Sequence, residues 1–161
     1  MTPGRAMNDG IYKLRSDSPL VPAVLRLIQA EFAYMETRID PPSSMLRMSE
    51  QTVRDQCATQ EVWVRGTPPN ACVFLTVQEK ALYVGKLAVA TSHRGQGHAR
   101  QLIAKAEERA RALRLPALVL ETRIELTENH AAFARLGFRK TAEGAHDGYD
   151  RPTYIRMQKD L

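Results

Sequence analysis

Two segments decide the fold: Leu87-Ala88-Val89-Ala90 and, three residues later, Arg94-Gly95-Gln96-Gly97-His98-Ala99. An apolar strand runs into a glycine-rich turn preceded by a fixed positive charge, and the turn opens a long amphipathic helix. The first N–H groups of a helix have no intrahelical acceptor, and the macrodipole makes that end positive. The junction therefore reads as a seat for a phosphate-bearing ligand.

The elements around it follow from periodicity. Gly97 to Leu113 reads as the strongest helix, with Ala99, Leu102, Ile103, Ala106, Ala110 and Leu113 on one face and Arg100, Lys105, Glu108, Arg109 and Arg111 on the other. Leu115-Pro116 ends it. Ala117 to Leu120 is wholly apolar, the pattern of a central strand buried on both faces. Upstream, Val62-Trp63-Val64, Ala71 to Val77 and Ala81 to Ala90 read as strands. Gly66 to Asn70 and Gln78-Glu79-Lys80 are the turns between them. Ile11 to Arg15 alternates like an edge strand.

Ser18-Pro19 reads as an N-cap with proline at the first helical position, opening a helix to Met35 that carries Leu20, Val21, Val24, Leu25, Ile28 and Phe32. Thr37 to Met48 holds Pro41-Pro42-Ser43-Ser44 and is no regular helix. Ser49, with Thr52 and Val53, opens a second helix to Ala58. A short helix from Thr127 to Leu136 is stopped by Gly137. Two strands close the chain, Phe138 to Glu143 and Thr153 to Lys159. The order β α α β β β α β α β β predicts an α+β fold with a mixed sheet.

The chain has 161 residues, 43% hydrophobic and 25% charged, as expected of one globular domain. Residues 1–10 read as a flexible tail without the apolar core of a signal peptide, and 11–161 as a single domain. No apolar run approaches the roughly 18 residues that span a bilayer, so no membrane partner is expected. Cys57 and Cys72 form neither a disulfide framework nor a metal pair. A cytoplasmic location and no metal are the expectations. The net charge of +5 comes from dispersed lysines and arginines. That describes a solvated basic surface better than a nucleic-acid footprint, which leaves a nucleic-acid-binding protein as the least favoured reading.

Three ligand loops compete for the glycine-rich turn. A P-loop needs G-x-x-x-x-G-K-[ST], which the chain lacks. A dinucleotide fingerprint needs a third glycine where Arg100 stands, and arginine there blocks close packing of helix on strand. The third is a pyrophosphate loop in which consecutive backbone amides wrap the anion, which asks for small residues where ligand oxygens approach. Gly95, Gly97 and Ala99 meet it.

This segment resembles the acetyl-coenzyme A motif of the GNAT superfamily of N-acetyltransferases, [QR]-x-x-G-x-[GA], which Arg94 to Ala99 matches in full. The element order and Leu136-Gly137-Phe138 extend the resemblance over Ile11 to Leu161. It implies a mostly antiparallel mixed sheet with helices on both faces, and acetyl-CoA as co-substrate. It also implies pantetheine in a gap between the fourth and fifth strands, paired with Leu87, Ala88 and Val89. The pyrophosphate would then lie on the segment Arg94, Gly95, Gln96, Gly97, His98 and Ala99.

The reaction implied is direct attack of an amine on the thioester, which needs a base for the ammonium and an acid for the leaving thiolate. No covalent enzyme intermediate is required, so Cys57 and Cys72 read as buried apolar residues. The family's usual acid is a tyrosine four residues before the glycine of the Leu-Gly-Phe triplet. Phe133 stands there, and Leu126 replaces an associated asparagine, with Asn129 and His130 one turn on. His130, Tyr154 and Tyr149 are substitute acids. Tyr83, Lys86 and Glu79 are the groups on or before the fourth strand that could serve a base. His130, Tyr154 and Glu79 form the candidate catalytic set.

Glu36, Arg38 and Asp40, before a proline-stiffened loop, read as part of a lid over a small-molecule or peptide amine. The competing reading is an acetyl-CoA binding or sensing module with weak or lost catalysis, favoured by Phe133. The closing strands are candidates for a homodimer contact.

Overall fold

The computed structural model describes residues 10–161. In chain order they form β1 (Ile11–Lys13), α1 (Val21–Ala33), a 3-10 turn (Ser44–Arg47), α2 (Glu50–Thr59), β2 (Glu61–Arg65), β3 (Ala71–Val77) and β4 (Leu82–Val89). A second 3-10 turn (Thr91–His93) leads to α3 (His98–Ala112), β5 (Ala117–Arg123), α4 (Thr127–Arg135), β6 (Arg139–Gly144) and β7 (Tyr154–Asp160). The tail expected over residues 1–10 lies, apart from Gly10, outside the described residues.

All seven strands join one sheet in the order β1-β2-β3-β4-β5-β7-β6. Only β4 and β5 run parallel; the remaining pairs are antiparallel. A parallel neighbour requires a crossover, and α3 supplies it. β1 is an edge strand, as its alternation suggested, and β6 is the other edge.

Helices cover both faces. Val21, Val24, Leu27 and Ile28 of α1, with Val53 and Cys57 of α2, pack on Val62, Val64, Cys72, Phe74 and Ala88. On the opposite face, Leu102, Ile103, Ala106 and Ala110 of α3 meet Val73, Leu75, Leu82, Val84, Leu118 and Leu120. β5 is buried from Ala117 to Leu120, on both faces, as its unbroken apolar run requires.

The start of α1 differs from the sequence reading. Ser18 Oγ accepts from Leu20 N–H at 3.1 Å, capping the turn that leads in, and the helix begins at Val21 with Pro22 in its first turn. Proline needs no acceptor there, so Pro22 fills the role expected of Pro19. Ser49 caps α2 as read, accepting from Thr52 N–H at 3.2 Å.

A bulge in β4 positions the residues that follow it. Cys72 pairs with Ala88 but Phe74 pairs with Gly85, so β4 carries one residue more than β3 between these pairs. The extra residue bulges at Lys86, whose φ of 50° lies in the left-handed region. The bulge reverses the alternation of β4: Leu82 and Val84 before it, and Leu87 and Val89 after it, all pack toward α3.

Candidate active site

β4 and β5 pair only at Leu82↔Leu118 and Tyr83↔Val119. Beyond these residues the strands separate, and a cleft of about 320 Å³ opens between them. Tyr83, Gly85, Lys86, Glu121, Arg123 and Tyr154 line it on the α1 face, under Phe32, Met35 and Met45. Leu120, Thr122, Leu126, Asn129 and Phe133 line it toward α4. The cleft thus passes through the sheet, open to one helical layer on each side.

Next to the cleft, β4 leads into the glycine turn. Gly95 and Gly97 have φ values of 76° and 83°, where any side chain is strained. A Cβ built on either meets nothing within 4 Å, so the space above both glycines is open. Gln101 N–H makes the first helical bond of α3, to Gly97 C=O at 3.0 Å. The N–H groups of His98, Ala99 and Arg100 precede it and have no intrahelical acceptor. Among the described residues, the N–H groups of Gly95, Gln96 and Gly97 also meet no main-chain acceptor. Consecutive unsatisfied donors under open space, at a positive helix terminus, fit a pyrophosphate.

The side chains of the turn hold its shape. The Arg94 guanidinium forms a close ion pair with Glu31 of α1 and stacks 5.0 Å from the Tyr34 ring centroid. Glu31 holds the Arg94 guanidinium above its ordinary pKa. Thr91 Oγ1 donates to the same carboxylate at 3.2 Å. His98 is 5% exposed, with its ring nitrogens facing Gln96 (3.2 Å) and Gln101 (3.4 Å). Arg94 and His98 therefore brace the turn internally. Glu31 escaped the sequence reading, yet it carried a signal: a carboxylate on the buried stripe of Val21, Val24 and Ile28 demands a partner.

Of the candidate catalytic residues, Tyr154 lines the cleft. Its ring lies over Gly144, where a Cβ would fall 2.2 Å from the hydroxyl oxygen, and meets the His146 ring edge-on at 5.5 Å. His130 pairs through Nε2 with the Arg123 carbonyl at 2.9 Å and does not line the cleft. Glu79 is exposed in the β3–β4 turn, at the end of β4 where the strands pair, and does not line the cleft either. Phe133 stands in the cleft wall, its ring 5.8 Å from Phe138 in an edge-to-face contact. Tyr149 donates to Asp40 at 2.6 Å, and that carboxylate pushes its phenol pKa up. Tyr83 lines the cleft with its phenol pushed up to about 12 by burial, so it stays protonated at neutral pH.

The connection between α1 and α2 roofs the cleft and is tied down at both ends. Arg38 pairs with Glu128, whose carboxyl falls to about 2. Asp40 accepts from Arg151 at 2.8 Å, and its N–H donates to Glu125 at 3.1 Å. Arg123 donates to the carbonyls of Pro41 and Pro42. The expected lid residues Arg38 and Asp40 thus latch the roof to the first turn of α4 and to the β5–α4 and β6–β7 connections.

Comparison with known proteins agrees with this geometry. Residues 28–138 match the model of the acetyltransferase (GNAT) family. The PaiA N-acetyltransferase of Thermoplasma acidophilum, solved with coenzyme A, superposes with a TM-score of 0.76 at 10% identity, over 94% of this chain and 98% of that one. A GNAT family acetyltransferase of Elizabethkingia anophelis, solved with acetyl-CoA bound, gives 0.66 at 17% identity, over 94% and 97%. An IAA acetyltransferase of Bacillus cereus gives 0.62 at 18% identity, over 94% and 98%. At these identities the likeness concerns the fold. No curated protein matches the sequence.

Proposed function

The chain belongs to the acetyltransferase (GNAT) family, an acetyl-CoA-dependent one, and from that premise we propose that it moves an acetyl group from acetyl-CoA to a primary amine by direct attack. The observation that carries this reading is the open cradle over Gly95 and Gly97, set beside a cleft that passes between β4 and β5. Acetyl-CoA supplies an acetyl thioester, and the residues of this chain do the rest.

The amides from Gly95 to Ala99 would bind the pyrophosphate, and the main chain of Leu87, Ala88 and Val89 would align the pantetheine arm. β4 has no β5 partner at these residues, so their outward main-chain groups are free to do so. Tyr154 is the phenol best suited to return a proton to the leaving thiolate, since it faces the cleft and Tyr149 is engaged by Asp40. A thiol is a good leaving group, so this acid contributes to the rate without being indispensable. The amine enters under the roof formed by Met35, Ser43, Ser44 and Met45.

Thiol release from acetyl-CoA across a panel of primary amines tests the reading. Amine-dependent release supports it. Coenzyme A binding without release by any amine would instead favour an acetyl-CoA binding module, the reading that Phe133 at the usual acid position supports.

The setting follows from the same features. Cys57 and Cys72 are free and buried, which supports a reducing cytoplasm. Among the described residues no helix is long and apolar enough to cross a membrane. The free edge β6 supports a homodimer across the closing strands, but Arg139, Lys140 and Glu143 charge that edge. Such a dimer would be salt-sensitive, which light scattering at two ionic strengths tests.

A further inference from the structure

Among the described residues, the cations around the cleft are answered by anions or carbonyls, with one exception. Arg156 pairs with Glu121 at 3.4 Å, Arg38 with Glu128, and Arg151 with Asp40. Arg123 donates to the Pro41 and Pro42 carbonyls and faces Glu36 and Glu125. Lys86 lines the cleft and is half-buried, yet among the described residues no carboxylate pairs with its ammonium. Its Nζ lies 5.3 Å from the centroid of the Phe74 ring. Burial lowers its pKa, with only the neighbouring Cys72 opposing.

A partly desolvated ammonium without an anion is costly to keep. The chain keeps this one in a backbone conformation that lysine rarely adopts, φ 50°, at the β4 bulge. Cys72 Sγ–H donates to the Lys86 carbonyl at 3.6 Å, which helps fix that conformation. The bulge carries the ammonium over Phe74, on the α1 face of the sheet and beneath the roof residues. That is the side away from Phe133, and it is the side roofed by Met35, Ser43, Ser44 and Met45. A fixed, unpaired cation on the acceptor's side of the cleft is a binding group for a negative charge on the acceptor.

We propose that the acceptor amine carries an anionic group, a carboxylate or a phosphate, which Lys86 binds beneath the α1–α2 connection. This rests on the N-acetyltransferase reading and names its substrate class. Glu121, paired with Arg156, faces the same cavity.

The test compares amino acids of increasing chain length, each beside its primary amide and its phosphonate analogue, with the intact protein and acetyl-CoA. The best anionic amine should exceed its amide in kcat/KM by about ten- to hundredfold. The carboxylate and phosphonate arms decide which anion is bound. Lys86→Met should bring the ratio close to one, and Lys86→Arg should restore a preference for the anion, with coenzyme A affinity measured by calorimetry as the control for folding. Equal turnover of anion and amide by the unaltered protein, or an undiminished ratio in Lys86→Met, overturns the inference and leaves the transferase reading standing. Equal loss of both substrates in Lys86→Met, with coenzyme A affinity kept, also overturns it, because Lys86 then acts on the proton. No turnover with any amine, while coenzyme A binds, overturns the transferase reading itself and this inference with it.

Discussion

Glu31 on α1 grips Arg94 in the turn that opens α3, across 63 residues of sequence. Glu31 is 7% exposed, and with Thr91 it fixes the segment between β4 and the glycines. Arg94 braces the turn from within the protein while its side chain stays 44% exposed before the glycines, and the cradle's shape depends on a carboxylate in another helix.

Replacing Glu31 by Gln removes the ion pair and keeps the volume. KM for acetyl-CoA should rise about tenfold while kcat changes less than threefold, because the turn loosens and the cleft does not. The cost in stability should be about 1 kcal/mol, below the usual range for bonds to charged groups because the Arg94 side chain is 44% exposed and its pair is screened. Steady-state kinetics and urea unfolding check both figures. A fall in kcat at unchanged KM would contradict the bracing role.

Gly97→Ala places a Cβ in the open space of the cradle and strains the left-handed backbone by about 1–2 kcal/mol. Coenzyme A affinity should fall at least tenfold with the protein still folded. Calorimetry with coenzyme A, beside a thermal melt, separates lost binding from lost structure.

Tyr154→Phe should lower kcat about a hundredfold and leave KM for acetyl-CoA within a factor of about two, the pattern of a lost proton donor. Gly144→Ala should reproduce part of that loss, since its Cβ would collide with the Tyr154 ring. Phe133→Tyr in the Tyr154→Phe background restores a phenol to the cleft wall, and recovery of kcat there would show that either position can serve.

Neither thiol should matter to turnover. Cys72 is fully buried and pushed up to about 12 by desolvation, and the Cys57 thiol is raised by the same cause. Iodoacetamide should label neither residue in the folded protein at neutral pH, and Cys72→Ala should retain transfer. Loss of activity on alkylation, with Cys57 or Cys72 as the labelled residue, would contradict direct attack.

Acid stability should depend on Glu61. Arg109 Nε donates to it at 2.8 Å and Trp63 Nε1 at 2.8 Å, and the Arg109 bond in particular depresses its pKa below the ordinary 4.5. A depressed carboxylate binds fewer protons folded than unfolded, so its stabilisation is present above pH 4.5 and is lost as pH falls through the folded value. Glu61→Gln should be less stable at neutral pH and show a shallower decline in acid, as read by thermal melts across pH.

Much of this fold was legible because its signals are local. The β3 span, Ala71–Val77, coincides with its apolar run, α3 with its 3.6-residue stripe, and α2 with its Ser49 cap. The glycines announced the cradle because a left-handed backbone under a ligand leaves little choice of residue. The bulge was not legible, since Lys86 is neither glycine nor asparagine and its conformation is imposed by the pairing of β4 with β3. The partner of Arg94 was not legible because an ion pair between distant residues leaves no periodicity. The roof latches, Arg38 to Glu128 and Asp40 to Arg151, are likewise tertiary contacts that sequence spacing does not encode.

The most direct measurement of the central claim is the product itself: intact-mass analysis of the amine after incubation with acetyl-CoA, beside a count of the thiol released. The account predicts one N-acetyl group formed per thiol, saturable in both substrates and lowered at least tenfold by Gly97→Ala at limiting acetyl-CoA. Coenzyme A bound in the cradle with no acetylated amine from any member of the panel would contradict it.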